Sequence, residues 1–214
     1  MYRFHPRTQR VVEMVREGAV GDVRVIRSAF TFRLTRPDNI RLDRELGGGS
    51  LWDVGCYCVN ASRTLLGEEP VAVQAAARWT GGYLDRGPET AVDDEMTAIL
   101  HFDKGVKAHF DCSLTMERTE FYEVAGTEGV LRVESSFLPG TGDVVIEERR
   151  GRAGVTQHLV PGDDEYRLMV EHFADCALHD RDPRYPASEA AANTRAIQAL
   201  YRSAREGGAV VEVV

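Results

Sequence analysis

One stretch of this chain has the residue types and spacing to do chemistry: Gly47-Gly48-Gly49-Ser50-Leu51-Trp52-Asp53-Val54-Gly55-Cys56-Tyr57. Its glycines let backbone approach another group closely. From Ser50 onward the spacing predicts a helix. Leu51, Val54, Cys58, Ala61 and Leu65 share an apolar side, and Asp53, Tyr57, Asn60 and Thr64 share another. The second stripe holds no Lys or Glu until Glu68, which sets it apart from an ordinary solvated face. A helix N-terminus favours anions and polar oxygens, so this stripe suits a pocket wall. For Asp53 the plainer alternative is a capping box with Ser50.

The elements that must position this stripe can be read on either side of it. A helix is expected over 6–17, opened by Pro6 and closed by Gly18. A strand is expected over 23–34 with Ile26, Phe30, Phe32 and Leu34 on one face. Residues 36–46 read as a polar loop with Pro37 and Asn39. The helix over 50–66 ends at Gly67, a strand follows over 71–79, and 81–90 read as a Gly- and Pro-rich loop.

Strands over 92–102 and 106–116 flank Asp103-Lys104-Gly105 and alternate cleanly. Val92, Met96, Ala98, Leu100 and Phe102 form a dry side, with Asp93, Glu95, Thr97 and His101 opposite. In the second strand Lys107, His109, Asp111, Ser113 and Thr115 form the polar side. Further strands are expected over 120–125, 130–134, 144–149 and 155–160, helices over 164–179 and 188–206, and a short strand over 210–214. The order predicts an α+β fold, a large, mostly antiparallel open-faced sheet with helices on one face.

With 214 residues, 43% of them hydrophobic, one sizeable core and a single domain over 1–214 are expected. No apolar run is long enough to span a bilayer and no signal-peptide core opens the chain, so a soluble cytoplasmic protein is expected. A net charge of −8 without a basic run argues against nucleic acid. Cys56, Cys58, Cys112 and Cys176 form no Cys-x-x-Cys pair, and no metal site is expected from them or from Glu171, His172 and His179. His101 and His109 read as surface or interface residues.

The run from Gly47 to Tyr57 closely resembles the signature of the Gfo/Idh/MocA oxidoreductases. Tyr2-Arg3-Phe4-His5-Pro6, Gly18-Ala19-Val20-Gly21-Asp22-Val23, Asn39-Ile40-Arg41 and Glu123-Val124-Ala125-Gly126-Thr127-Glu128-Gly129 resemble further family landmarks in family order. The Cys56-Tyr57-Cys58 variant resembles the aldose (D-xylose) dehydrogenase and dihydrodiol dehydrogenase branch. The resemblance implies hydride transfer between NAD or NADP and a sugar or cyclic polyol. Asp53 would position the sugar and Tyr57 would be the acid/base, its phenol activated by a neighbouring cation. Asn60, Arg41 and Trp52 are candidate substrate contacts, although Arg41 can instead pair with Asp43 and Trp52 can instead be core. Arg3 and His5 are candidate cofactor contacts or surface residues. The exposed sheet face would form a homodimer or higher oligomer.

The family's cation is a lysine in a Glu-Lys-Pro motif that closes its nucleotide-binding domain, and this sequence contains neither that motif nor a Gly-x-Gly-x-x-Gly fingerprint. Gly140-Thr141-Gly142 reads as a turn. The expectation is therefore a substrate-binding and catalytic half without a Rossmann domain, inactive alone. The alternatives are a non-catalytic sugar-binding or dimerisation module and a scaffold for a separate Rossmann partner.

Overall fold

The computed structural model describes residues 1–36, 38–80, 91–152 and 154–214; the loop expected over 81–90 lies outside them. The described chain runs α1 (Pro6–Arg16), β1 (Val23–Arg33), α2 (Cys56–Leu66), β2 (Ala72–Thr80), β3 (Val92–His101), β4 (Lys107–Ser113) and β5 (Thr115–Gly126). It continues through β6 (Val130–Glu134), β7 (Val144–Arg149), β8 (Val155–Val160), α3 (Glu165–Leu178), α4 (Ala187–Arg205) and β9 (Val211–Glu212). Local chemistry sets the helix ends. Pro6 opens α1 after His5, whose imidazole accepts from the Arg7 N–H. Asp164 caps α3, and Gly67, in the left-handed region, closes α2.

The strands form one sheet in the order β8-β7-β6-β5-β1-β4-β3-β2-β9. The fold is α+β with helices on one face of a large, mostly antiparallel sheet, as expected, and a single parallel pairing among the described strands makes the sheet mixed. The central strand β1 pairs antiparallel with β5 and parallel with β4, so Phe30 lies between Glu120 and Cys112. A parallel pair needs a long crossover, and α2, β2 and β3 provide it.

Two expectations about the sheet fail at defined places. The strand expected over 106–116 breaks at Leu114, whose N–H bonds Asp94 O and whose carbonyl accepts from Leu34. Ser113 is therefore buried rather than on the polar face, its hydroxyl accepting from the Thr115 and Met116 N–H groups. Asp93 is also buried. The β2–β3 register shifts between Arg78, opposite Glu95, and Trp79, opposite Asp93. That extra residue turns the Asp93 side chain into the core.

The core lies between the sheet and α1, α2 and α4. Val11, Leu65, Val73, Leu100, Phe110 and Leu200 are all buried in it. The other sheet face carries charge: Glu123 accepts from Arg27 at 2.6 Å and Arg149 at 3.0 Å. Beside them the Arg132 guanidinium lies 4.2 Å from the Phe121 ring centroid. Among the described residues no helix is long and apolar enough to cross a membrane.

Candidate active site

The glycine run is a wrap around the preceding loop. Gly48 donates to Asp43 O at 2.8 Å and Gly49 to Arg41 O at 2.9 Å. A β-carbon on Gly48 would stand 2.5 Å from Arg41 O, and one on Gly49, at φ +120°, would stand 2.1 Å from Asp93 Oδ1. Close approach, not flexibility, explains these residues. Asn39 holds the same loop by accepting from the Arg41 N–H at 3.0 Å. The wrap delivers Arg41 Nε to Asp53 Oδ2 at 2.6 Å.

Asp53 is not half of a capping box. Leu51–Gly55 is a π-helical turn, and the Ser50 hydroxyl donates to Asp93 Oδ2 at 2.8 Å instead of capping. The Leu51 N–H reaches the same oxygen at 2.7 Å, and the Tyr201 hydroxyl donates to Asp93 Oδ1 at 2.6 Å. Asp93 thus anchors the start of the helix, and Asp53 is left to Arg41. It also follows that Arg41 pairs with Asp53 rather than with Asp43. Widened turns of this kind recur at functional sites.

Tyr57 follows one turn after Asp53, at the start of α2, and is half-buried. Its ring packs among Phe30 at 5.5 Å, Phe137 at 5.5 Å and Tyr2 at 6.0 Å between centroids. Its hydroxyl lies 3.8 Å from Met1 Sδ. Burial, followed by the charges of Cys56, Tyr166, Asp53 and Glu165, pushes this phenol up to about 12. It therefore holds its proton through neutral pH.

The structure sorts the other sequence candidates. Trp52 is 37% exposed beside Asp53, with its ring 6.1 Å from Tyr201. Asn60 is buried, accepting from the Tyr2 hydroxyl at 2.8 Å and donating to Glu189 at 3.1 Å. Both ends of its amide are used inside the fold, so it braces the wall from behind. Arg3 pairs with Glu189 at 2.8 Å and lies 3.7 Å over the Tyr185 ring. With Thr64 it lines a cleft of about 420 Å³ whose lining includes none of Arg41, Asp53 and Tyr57. His5 is fully buried as the cap of α1, and burial lowers its pKa. Arg3 and His5 are thus both engaged by partners within the fold.

Sequence reasoning missed three contributors. Phe137 sits in a loop without periodicity; Glu120 accepts from its N–H and from that of Leu138, both at 2.6 Å. Asp93 was hidden by the register shift. Glu165, the first residue of α3, is 5% exposed, and its Oε2 has no partner among the described residues. Burial, reinforced by Glu120 and opposed chiefly by the Met1 amine, pushes its carboxyl up to about 7. A raised acid stabilises the fold below its unfolded value of 4.5, and that contribution is lost as pH rises through about 7. Urea unfolding is thus expected to show a loss on the order of 2 kcal/mol between about pH 5 and about pH 8, absent in Glu165→Gln. An equal loss in that variant would place the titration elsewhere.

Among the described residues no cluster of His, Cys, Asp and Glu is arranged to hold a metal ion.

Residues 8–132 match the profile of the GFO/IDH/MocA C-terminal domain. D-xylose 1-dehydrogenase (NADP(+)) 2 of Haloferax volcanii is 37% identical over 213 residues, covering 98% of this chain and 62% of the relative. Trans-1,2-dihydrobenzene-1,2-diol dehydrogenase of Mus musculus is 32% identical over 149 residues, covering 69% of this chain and 42% of the relative. The crystal structure of aldose-aldose oxidoreductase from Caulobacter crescentus, complexed with glycerol, superposes with a TM-score of 0.87 at 30% identity. That match covers 99% of this chain and 62% of the other. The chain thus spans less than two thirds of the length of these relatives.

Proposed function

This chain belongs to the Gfo/Idh/MocA family, and from that premise we propose that residues 1–214 form, as one domain, the substrate-binding and acid–base half of an NADP-dependent oxidoreductase. Its substrate would be a sugar or cyclic polyol, as the names of its relatives suggest. The observation that carries the reading is the Arg41–Asp53 pair at 2.6 Å, set at the start of the helix that presents Tyr57 one turn on.

Each residue has a task that its surroundings support. Asp53, polarised by Arg41, keeps acceptor capacity for a substrate hydroxyl. Tyr57, held protonated by its buried setting, is suited to donate its proton to the carbonyl oxygen of a substrate being reduced. In the oxidation direction the same phenol must first lose its proton. Burial and the charges of Cys56, Tyr166, Asp53 and Glu165 all oppose that loss, so a cation has to come from outside these residues. Trp52 supplies an exposed aromatic edge beside Asp53.

The described residues do not fit a dinucleotide. The Gly140-Thr141-Gly142 turn is closed over by Gly162, where an added β-carbon would stand 2.0 Å from Gly142 O. His5 and Arg3 are engaged inside the fold. Hydride chemistry therefore belongs to a nucleotide-binding body beyond these residues, and the 214-residue chain alone is expected to be inactive. The charged open sheet face with Phe121, Arg132 and Glu123 is the proposed contact with a second copy.

The test joins this chain behind the nucleotide-binding part of the 37%-identical relative and follows sugar-dependent NADP reduction. Asp53→Asn is expected to cut kcat/KM by about 10- to 100-fold, the worth of one hydrogen bond to a charged group. Unchanged kcat/KM would remove Asp53 from the substrate wall. Turnover by residues 1–214 alone would overturn the division of labour.

A further inference from the structure

The cleft of about 420 Å³ that Arg3 lines is walled by three parts of the chain: the N-terminal segment with α1, the end of α2, and the turn that leads into α4. Four guanidiniums line it, those of Arg3, Arg16, Arg63 and Arg184, against two carboxylates, Glu69 and Glu189. The chain as a whole carries a net charge of −8, so the cleft is a local reversal of sign.

Both carboxylates are already spent. Arg63, its side chain 3% exposed, takes the two oxygens of Glu69 at 2.6 and 2.7 Å and one oxygen of Glu189 at 2.7 Å. Its other donors go to Asn193 Oδ1 at 3.0 Å and Glu189 O at 3.3 Å, so all five N–H groups are used. Arg3 takes the second Glu189 oxygen at 2.8 Å. Burial alone would raise the Glu189 carboxyl, but Arg3 and Arg63 hold it below its usual range. Two cations are left over. Arg16 and Arg184 are exposed, and neither has a carboxylate partner among the described residues. Arg3 also has donors to spare, because its guanidinium is stacked 3.7 Å over the Tyr185 ring and only one edge meets Glu189. The walls are tied in place: Gln9 donates to Arg3 O and to the Tyr185 hydroxyl, and the Arg184 N–H donates to His172 Nε2 at 2.9 Å. Helix dipoles account for Arg16 and Arg63, which stand in the last turns of α1 and α2. They do not account for Arg3 and Arg184, which lie in no α-helix.

We propose that this cleft is a binding site for a small phosphate-bearing metabolite, with the phosphate held between Arg3, Arg16 and Arg184 above the Arg63 floor. Two positive charges without carboxylates match a phosphate dianion, and guanidinium forks present paired donors to its oxygens. The volume admits a small molecule rather than a bare ion. The site is separate from the proposed sugar site, because Arg41, Asp53 and Tyr57 do not line it.

An NMR titration of the ¹⁵N-labelled chain with inorganic phosphate, at ionic strength held constant with sodium chloride, tests this. The amides of Gly67 and Arg184, both in the cleft lining, are expected to shift to saturation at millimolar phosphate. Those of Gly48 and Gly49, in the wrap that delivers Arg41, should stay in place. The double variant Arg16→Gln with Arg184→Gln removes two exposed side chains that hold no ion pair among the described residues, so the fold should survive. Its dissociation constant for phosphate should rise by about tenfold or more, as loss of charge-assisted hydrogen bonds requires. Shifts that grow linearly without saturating overturn the site, as does an unchanged dissociation constant in the double variant. Shifts centred on Gly48 and Gly49 would give the anion to the Arg41–Asp53 pair and overturn the site as well. Malonate, a dianion with carboxylates in place of phosphate, is the chemical control. Weaker binding of malonate supports the phosphate assignment, and equal or tighter binding overturns it.

Discussion

Tyr57→Phe, in a protein completed with a nucleotide-binding part, is expected to lower kcat by about 10²- to 10⁴-fold, the usual worth of a positioned proton donor. KM should stay near its original value. The phenylalanine ring keeps the contacts with Phe30, Phe137 and Tyr2, so packing and the position of α2 survive the change. Only the hydroxyl is lost. A group that acts in the transition state lowers kcat and kcat/KM together, whereas a binding group raises KM. The pH profile sharpens the test. The phenol alone is pushed up to about 12, so it is fully protonated across the neutral range. In the reduction direction the rate should be flat there as far as Tyr57 is concerned. An alkaline limb well below 12 that vanishes in Tyr57→Phe would report a cation brought by the added part. Unchanged turnover in the variant would remove Tyr57 from proton transfer.

The sequence made the helix of the site legible because its two faces differ in kind. Leu51, Val54, Cys58, Ala61 and Leu65 are buried as their spacing predicts. The limits of such reading have physical causes. Periodicity places a side chain on a face but does not say which partner claims it. Asn60 shares a stripe with Asp53, yet Tyr2 and Glu189 take its amide. The π-helical turn at Leu51–Gly55 and the register shift at Asp93 are both single-residue departures from regular repeats, and alternation cannot announce them. Phe137 reaches Tyr57 from a loop fixed by long-range bonds. Arg7 donates to Glu134 O at 2.9 Å and to Ser135 O at 2.5 Å, and Glu120 accepts from the backbone just beyond. The parallel pairing of β1 with β4 likewise depends on a crossover, which strand patterns alone do not specify.

Asp93→Ala is expected to cost about 3–5 kcal/mol of folding stability, measured by urea unfolding. The carboxylate is 1% exposed and accepts from the Ser50 hydroxyl, the Leu51 N–H and the Tyr201 hydroxyl. Alanine strands all three donors in the core, each at a cost of about 1–3 kcal/mol. Asp93→Asn should be much milder, because one carbonyl oxygen still serves Ser50 and Leu51 while Tyr201 can turn to accept. The pair of variants also bears on function. Gly49 packs directly on Asp93 Oδ1, and Gly49 holds Arg41 O. Removing the carboxylate loosens the wrap that delivers Arg41 to Asp53, so the completed protein should lose kcat/KM in Asp93→Ala even where it remains folded. Burial raises the Asp93 pKa against the hydrogen bonds that lower it, so this side chain contributes most to stability while protonated at low pH, and that contribution fades as pH rises through its folded value. The uncharged amide of Asp93→Asn removes this dependence while keeping the wrap. If Asp93→Asn loses stability and kcat/KM as severely as Asp93→Ala, the charge itself is required; if it keeps both, three aligned hydrogen bonds are what hold the site together.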